Sequence, residues 1–113
     1  MSEFNFNNKT FYLLENSESG KVNSETTFNY QQKGKIVTAD YFGGTIKYGK
    51  IIATLDRDIL NMIYQCLTSE NELKAGKAIA KVSFTKEHKM HLKLNWQWLN
   101  GNKEKGVSEY IEK

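Results

Sequence analysis

Tyrosine and tryptophan side chains recur at alternate positions along this 113-residue chain. The aromatic set of interest is Phe28, Tyr30, Tyr48, Tyr64, Trp96 and Trp98. Phenol and indole groups combine an apolar ring with a hydrogen-bond donor, so on one inner face they could line a ligand pocket. The same rings could instead fill the core of a small barrel, which must bury bulky groups. We take five of them as candidate ligand-binding residues: Tyr30, Tyr48, Tyr64, Trp96 and Trp98.

Nucleophilic and metal chemistry have weaker support. Cys66 lies on the apolar face of its segment, and no histidine in that segment could activate its thiol, so we interpret it as a buried structural cysteine. His88 falls in a turn and His91 on a polar face. Two histidines with one distant cysteine lack the number and spacing of zinc ligands. We predict no catalytic residue, no metal site and no cofactor.

Phosphate and nucleic-acid sites are also poorly supported. The Gly43-Gly44 pair joins two predicted strands and opens no helix that could bind a phosphate. Of the 16 basic residues only Arg57 is arginine, and the net charge is a mild +3. Since arginine dominates base and phosphate recognition, nucleic-acid binding is not favoured. A lysine stripe at Lys77, Lys81 and Lys93 is interpreted as a solvated face.

The composition also indicates the cellular compartment in which the protein is expected. The single cysteine excludes an internal disulfide framework. The early segment Met1–Asn8 lacks the pattern of a secretory signal, and no apolar run approaches the ~20 residues of a membrane helix. We therefore expect a soluble, cytoplasmic protein without membrane contact. The sequence does not indicate its oligomeric state.

A β-hairpin signal lies between Lys35 and Leu55. Two runs rich in β-branched and aromatic residues flank Gly43-Gly44, and glycine adopts the positive φ angles of a tight hairpin turn without strain. The apolar face changes parity across Gly49-Lys50, which predicts a β-bulge at Gly49.

Alternation of apolar and polar residues extends along the rest of the chain. It is clearest in Met90–Trp98 and is also present in Ser24–Gln31 and Leu73–Phe84. The segment Ile59–Leu67 fits both a strand and a helix, and the regular spacing of its neighbours favours a strand. Val107–Ile111 is a possible final strand.

About eight short strands at intervals near ten residues predict an all-β fold. We expect a single antiparallel meander, forming one small β-barrel or half-barrel domain of the calycin/lipocalin type over residues 1–113. A five-stranded OB-type barrel is the alternative, but it would leave several of these segments unassigned. An eight-stranded barrel can be filled by side chains or can hold one small ligand.

Several short motifs carry a family resemblance. They are Asn8-Lys9-Thr10-Phe11, Ser24-Glu25-Thr26-x-Phe28-x-Tyr30, Tyr41-x-Gly43-Gly44-x-Ile46-x-Tyr48-Gly49, Trp96-Gln97-Trp98, Gly101 and Lys105-Gly106-x-Ser108. Through them nearly the whole chain resembles a family of small bacterial proteins labelled "N-acetylglutamate synthase". The resemblance implies a homologous fold and, by its label, an N-acetyltransferase activity. Polar residues of the family pattern are replaced here by Ile63, Ala78 and Lys93-Leu94.

Three functions follow from these observations. Non-catalytic binding of a small molecule or a protein partner is the leading hypothesis, because an aromatic inner face is present without an assembled catalytic group. The family label implies an acyl-CoA-dependent N-acetyltransferase as the alternative. Binding of single-stranded nucleic acid through exposed aromatic and lysine side chains is the weakest.

Overall fold

The computed structural model describes residues 4–16, 25–101 and 103–113. It contains eight antiparallel strands: β1 (Lys9–Asn16), β2 (Thr27–Lys33), β3 (Ile36–Gly43), β4 (Ile46–Asp56), β5 (Ile59–Thr68), β6 (Leu73–Phe84), β7 (Met90–Trp98) and β8 (Lys105–Glu112). Each strand pairs with the next one in sequence, and β8 pairs back with β1, so the sheet closes into a barrel. No helix in the described part of the chain is long and apolar enough to span a membrane.

The predicted all-β meander is confirmed, and it closes completely rather than stopping at a half-barrel. The ambiguous segment Ile59–Leu67 lies within β5, and the predicted final strand Val107–Ile111 lies within β8. A helix at the first of these positions would have interrupted the ladders of β5 with β4 and β6. The polar loop expected at Ser17–Gly20 lies outside the described residues.

The Gly43-Gly44 hairpin turn is present between β3 and β4. Both glycines have positive φ, +113° at Gly43 and +63° at Gly44, which is why side-chain-bearing residues fit poorly there. A Cβ atom on Gly43 would also collide with the carbonyl group of Glu25. The turn therefore requires glycine both for its backbone angles and for the close approach of a neighbouring segment.

The β-bulge lies two residues before the predicted position, Gly49. In the pairing of β4 with β5, Ile46 faces Thr68 while Tyr48 faces Leu67, so the extra residue is Lys47. This insertion reverses the inward and outward positions after Ile46. Gly49 consequently lies inside the barrel and Tyr48 outside it.

The two ends of the barrel differ. At one end, which we call the Phe6 end, the fully buried Phe6 packs on Phe11 and Tyr30, with ring centroids 5.7 and 5.4 Å away. The backbone N–H of Phe6 donates to the side-chain amide oxygen of Gln32 at 2.8 Å. The N-terminal segment thus fills this end of the barrel. The opposite end, which carries Trp98, we call the Trp98 end.

Three inward-facing glycines make room for large rings. The rings of Tyr41, Tyr64 and Trp96 lie directly over Gly49, Gly76 and Gly106 respectively, so close that a Cβ atom would overlap the ring. Each glycine is on a strand next to that of its ring, directly opposite it in register. Small residues on one strand therefore admit bulky residues from the neighbouring strand.

Candidate functional site

Three of the predicted aromatic residues meet at the Trp98 end. The rings of Tyr64 and Trp98 are edge to face at 5.5 Å between centroids, and Trp96 and Trp98 are 6.1 Å apart. Alternation along β7 directs both indoles inward. In the register of the sheet Trp96 faces Ala78, and Gly76 lies between Tyr64 and Trp98. The small residues of β6 thus leave the space that these rings occupy.

The two indole N–H groups have different environments. Trp96 Nε1 donates to Ser108 Oγ at 2.7 Å, within the buried interior. Trp98 Nε1 is buried and has no hydrogen-bond partner among the described residues. Because an indole N–H can only donate, any group that bonds it must be an acceptor. An unsatisfied buried donor is uncommon and marks a position where a further group can bind.

Tyrosine hydroxyls provide further polar groups inside the barrel. Tyr41 Oη donates to the carbonyl oxygen of Gln65 at 3.3 Å, and the Tyr110 hydroxyl is hydrogen-bonded to Ser108. Burial raises the pKa of Tyr41, Tyr64 and Tyr110 above the ordinary value of 10.0, because the phenolate would be poorly solvated. These hydroxyls therefore stay protonated and neutral at physiological pH.

Electrostatically, the interior is neutral apart from its edge. The buried polar side chains among the described residues are the uncharged Thr26, Thr68 and Ser108. At the edge, Lys74 begins the inward-facing row of β6 and places its ammonium group 5.0 Å from the centroid of the Trp98 ring. A positive charge at the rim of an apolar, hydrogen-bonding interior favours a ligand whose buried part is uncharged and whose outer part is acidic.

The five predicted site residues do not form one cluster. Tyr64, Trp96 and Trp98 come together, as described above. Tyr30 is 2% exposed at the Phe6 end, where it packs on Phe6 and Phe11 as a core residue.

The prediction that Tyr48 faces the interior is wrong. Its side chain is 51% exposed on the outer surface, and its hydroxyl donates to Asp40 Oδ1 at 2.6 Å. That hydrogen bond holds the pKa of Asp40 below its ordinary value. The physical reason for the error is the extra residue Lys47, which moves Tyr48 from the inner face to the outer one.

Several site residues were not identified from the sequence. Tyr41 and Tyr110 lie at inward positions of the alternating strands β3 and β8, so the alternation of these strands could have identified them as interior residues. Lys74 lies in the inward register of β6, where a lysine at a strand end looks like an ordinary surface residue. Ser108 is recognisable only through its bond to Trp96, which depends on the pairing of β7 with β8.

Two further interpretations from the sequence can now be compared with the structure. Cys66 is buried and unbridged, as predicted, and lies beside the Tyr41 hydroxyl. His88 is exposed in a turn, while His91 hydrogen-bonds Glu109 on the outer surface at 2.9 Å. Within residues 4–16, 25–101 and 103–113, no group of three histidine, cysteine or acidic side chains is arranged to hold a metal ion.

Comparisons with known proteins bear on the family. The model of the family described as "Avidin-like protein" matches residues 4–113. No curated protein and no solved structure matches the chain. The resemblance to proteins labelled N-acetylglutamate synthase is therefore wrong as a family assignment, and the acetyltransferase alternative has no support. Because the match spans nearly the entire sequence, the chain belongs to the avidin-like family.

Proposed function

We propose that this protein binds a small molecule at the Trp98 end of its barrel, without chemical conversion. The observation that carries the proposal is the buried Trp98 Nε1–H, which has no partner among the described residues. Leaving such a donor unsatisfied costs about 1–3 kcal/mol, and a ligand that accepts its hydrogen bond recovers that loss. Tyr64 and Trp96 flank the same position with apolar ring surface.

The surroundings define the chemistry of the ligand. An uncharged head with a carbonyl-type acceptor suits the Trp98 donor and the neutral tyrosine hydroxyls. A carboxylate on a short apolar tail would reach Lys74 at the rim. Membership of the avidin-like family supports ligands of the biotin type, which combine a cyclic urea with an acidic tail.

The direct test is titration calorimetry of the full chain with biotin and with biotinamide, which lacks the charged tail. We expect both to bind, and biotin to bind more tightly. A set of neutral cyclic ureas and lactams extends the test to other heads of the same chemistry. The proposal is overturned if no member of this set binds or raises the melting temperature.

A lysine variant tests the position of the acidic tail. In Lys74→Met the affinity for biotin should fall about fivefold to tenfold, because a partly exposed ion pair contributes about 1 kcal/mol. The affinity for biotinamide should hardly change. Lys93→Met is the matched control, since it removes the same charge from the outer face of β7. If Lys74→Met lowers the affinity for biotin and biotinamide equally, or if both lysine variants lose the same affinity for biotin, the ligand binds elsewhere.

A further inference from the structure

The Phe6 end of the barrel is occupied by a short segment that is not part of the sheet. Residues 4–8, which we call the plug, precede β1 and pair with no strand. The side chain of Phe6 is nevertheless fully buried, and that of Phe4 is only 8% exposed. Because β8 pairs directly with β1, the sheet closes without the plug.

Two aromatic rings of the plug pack on rings of the barrel. Phe6 lies against Phe11 and Tyr30, whose own rings meet edge to face at 5.1 Å between centroids. Phe4 is stacked on Phe84 of β6 at 4.9 Å. The barrel therefore provides two aromatic subsites for residues that are two positions apart in the plug.

Glutamine side chains and backbone of β2 contact the polar groups of the plug. Gln32 Oε1 accepts a hydrogen bond from the backbone N–H of Phe6 at 2.8 Å. The backbone N–H of Gln32 donates to Asn7 Oδ1 at 3.3 Å, and Gln31 Nε2 donates to Asn8 Oδ1 at 3.2 Å. These contacts suit a phenylalanine followed by two side chains that carry an acceptor oxygen.

The groups that hold the plug are oriented by the barrel itself. Gln32 Nε2 donates to the carbonyl oxygen of Gly34 at 2.9 Å, so the side-chain amide is also fixed from the β2–β3 turn. Phe11 and Tyr30 belong to the paired strands β1 and β2. The plug has no such ladder, and segments of this kind open at a lower free energy than paired strands do.

We propose that the Phe6 end is a peptide-binding site that the plug occupies in cis and leaves without unfolding of the barrel. The site takes an extended peptide with two aromatic residues separated by one position and followed by asparagine or a similar acceptor. Such a peptide has to compete with the plug, so its apparent affinity is reduced by the small fraction of open sites. The site lies at the opposite end from Trp98, and its test is independent of the proposed ligand.

Peptide binding to the full-length chain tests the site. Phe6→Ala removes the ring that anchors the plug, and the capped peptide Phe-Asn-Phe-Asn-Asn, which copies residues 4–8, should then bind in titration calorimetry. Its affinity for the wild type should be about tenfold weaker or less, because the intact plug competes. Alanine at the third position of the peptide should abolish binding. Ile46→Ala is the matched control, since it removes a side chain 3% exposed near the Trp98 end of β4.

The proposal is overturned if the folded Phe6→Ala variant does not bind the peptide. It is also overturned if Ile46→Ala binds the peptide equally well, or if the alanine-containing peptide binds as tightly as the original. Circular dichroism and melting temperatures establish that each variant is folded.

Hydrogen exchange of the wild-type chain tests release of the plug and requires no variant. The Phe6 backbone N–H should exchange about a hundredfold faster than the most protected amides of β5 and β6, and low urea concentrations should hardly change its rate. If it exchanges as slowly as those strand amides and with the same dependence on urea, the plug leaves only when the barrel unfolds, and the proposal is wrong.

Discussion

Trp96 and Trp98 stand two residues apart on the inner face of β7, and their indole groups differ mainly in their hydrogen bonds. Trp96 Nε1 has Ser108 as its acceptor, whereas Trp98 Nε1 has none among the described residues. The two rings are buried to nearly the same extent, 7% and 6% exposed. They therefore form a natural pair for separating the effect of a hydrogen bond from that of ring burial.

Replacing each tryptophan by phenylalanine should affect stability unequally. Both variants lose ring volume, but Trp96→Phe also removes the hydrogen bond to Ser108 Oγ, while Trp98→Phe removes an indole donor that has no partner among the described residues. We expect Trp96→Phe to lower the free energy of unfolding by about 1–2 kcal/mol more than Trp98→Phe does. Urea denaturation measures this difference. Equal losses would show that Trp98 Nε1 is already satisfied in the free protein.

The same residue-scale reasoning explains which site residues were predictable. Alternation alone identifies Trp96 and Trp98 as inward-facing, since β7 is regular along its length. For Tyr30 it gives the correct face but not the end of the barrel, which depends on how strands pair. Tyr48 could not be placed, because its orientation depends on the exact position of one inserted residue. The apolar pattern indicated a bulge at Gly49, whereas the pairing of β4 with β5 shows that the extra residue is Lys47.

At the scale of elements, glycines on three strands leave room for aromatic rings from the neighbouring strands. Gly49, Gly76 and Gly106 each lie beneath a ring from an adjacent strand. The ring of Trp96 over Gly106 is buried, and its Nε1 is bonded to Ser108 on β8. Pairing of β7 with β8 thus depends on a residue without a side chain.

Gly106→Ala should consequently destabilise the protein. The new methyl group would overlap the Trp96 ring, which must shift away from Ser108, and such overpacking costs about 1–3 kcal/mol. Gly34→Ala measures the cost of backbone strain without a clash, since a Cβ atom there meets nothing within 4 Å while its φ of +61° is unfavourable for alanine. Thermal unfolding of both variants checks the prediction. A smaller loss for Gly106→Ala than for Gly34→Ala would contradict it.

Closure of the barrel also involves one carboxylate at the end of β8. Glu112 accepts a hydrogen bond from the Met90 backbone N–H at 2.7 Å and pairs with Lys9 at 3.0 Å, so it connects β7, β8 and β1. Burial alone would raise its pKa, but these contacts outweigh burial and hold the pKa of Glu112 below its ordinary value of 4.5. The unfolded chain therefore binds the proton more readily than the folded one does.

Glu112→Gln should lower the free energy of unfolding by about 1 kcal/mol at neutral pH. Because the folded-state pKa is depressed, this stabilisation is complete above pH 4.5 and is lost as the pH falls through the folded value. The difference in the free energy of unfolding between wild type and variant should therefore decrease in urea titrations at lower pH. Glu87→Gln, exposed in the β6–β7 turn, controls for the change in net charge. A difference in free energy that does not depend on pH would contradict a stabilising role for the ionised Glu112 carboxylate.

On the scale of the whole molecule, the sequence predicted the strands and a barrel or half-barrel, but it did not decide between these two forms. Each strand carries its own alternation, and turn residues such as Gly34 and Gly43-Gly44 separate the segments. Closure depends on the pairing of β1 with β8, whose residues are about a hundred positions apart in sequence and share no local signal. For the same reason, the contact of Trp96 with Ser108 could be found only after the register of the sheet was known.

The most direct measurement of the central claim is NMR spectroscopy of the two indole N–H groups. The chain contains only two tryptophans, so two indole resonances are expected, and Trp98→Phe assigns them by removing one. On titration with biotin and the cyclic-urea and lactam set, the account predicts that the Trp98 resonance moves downfield as its hydrogen bond forms, while that of Trp96 moves little. The account is contradicted if no compound moves the Trp98 resonance, or if a bound compound moves only that of Trp96.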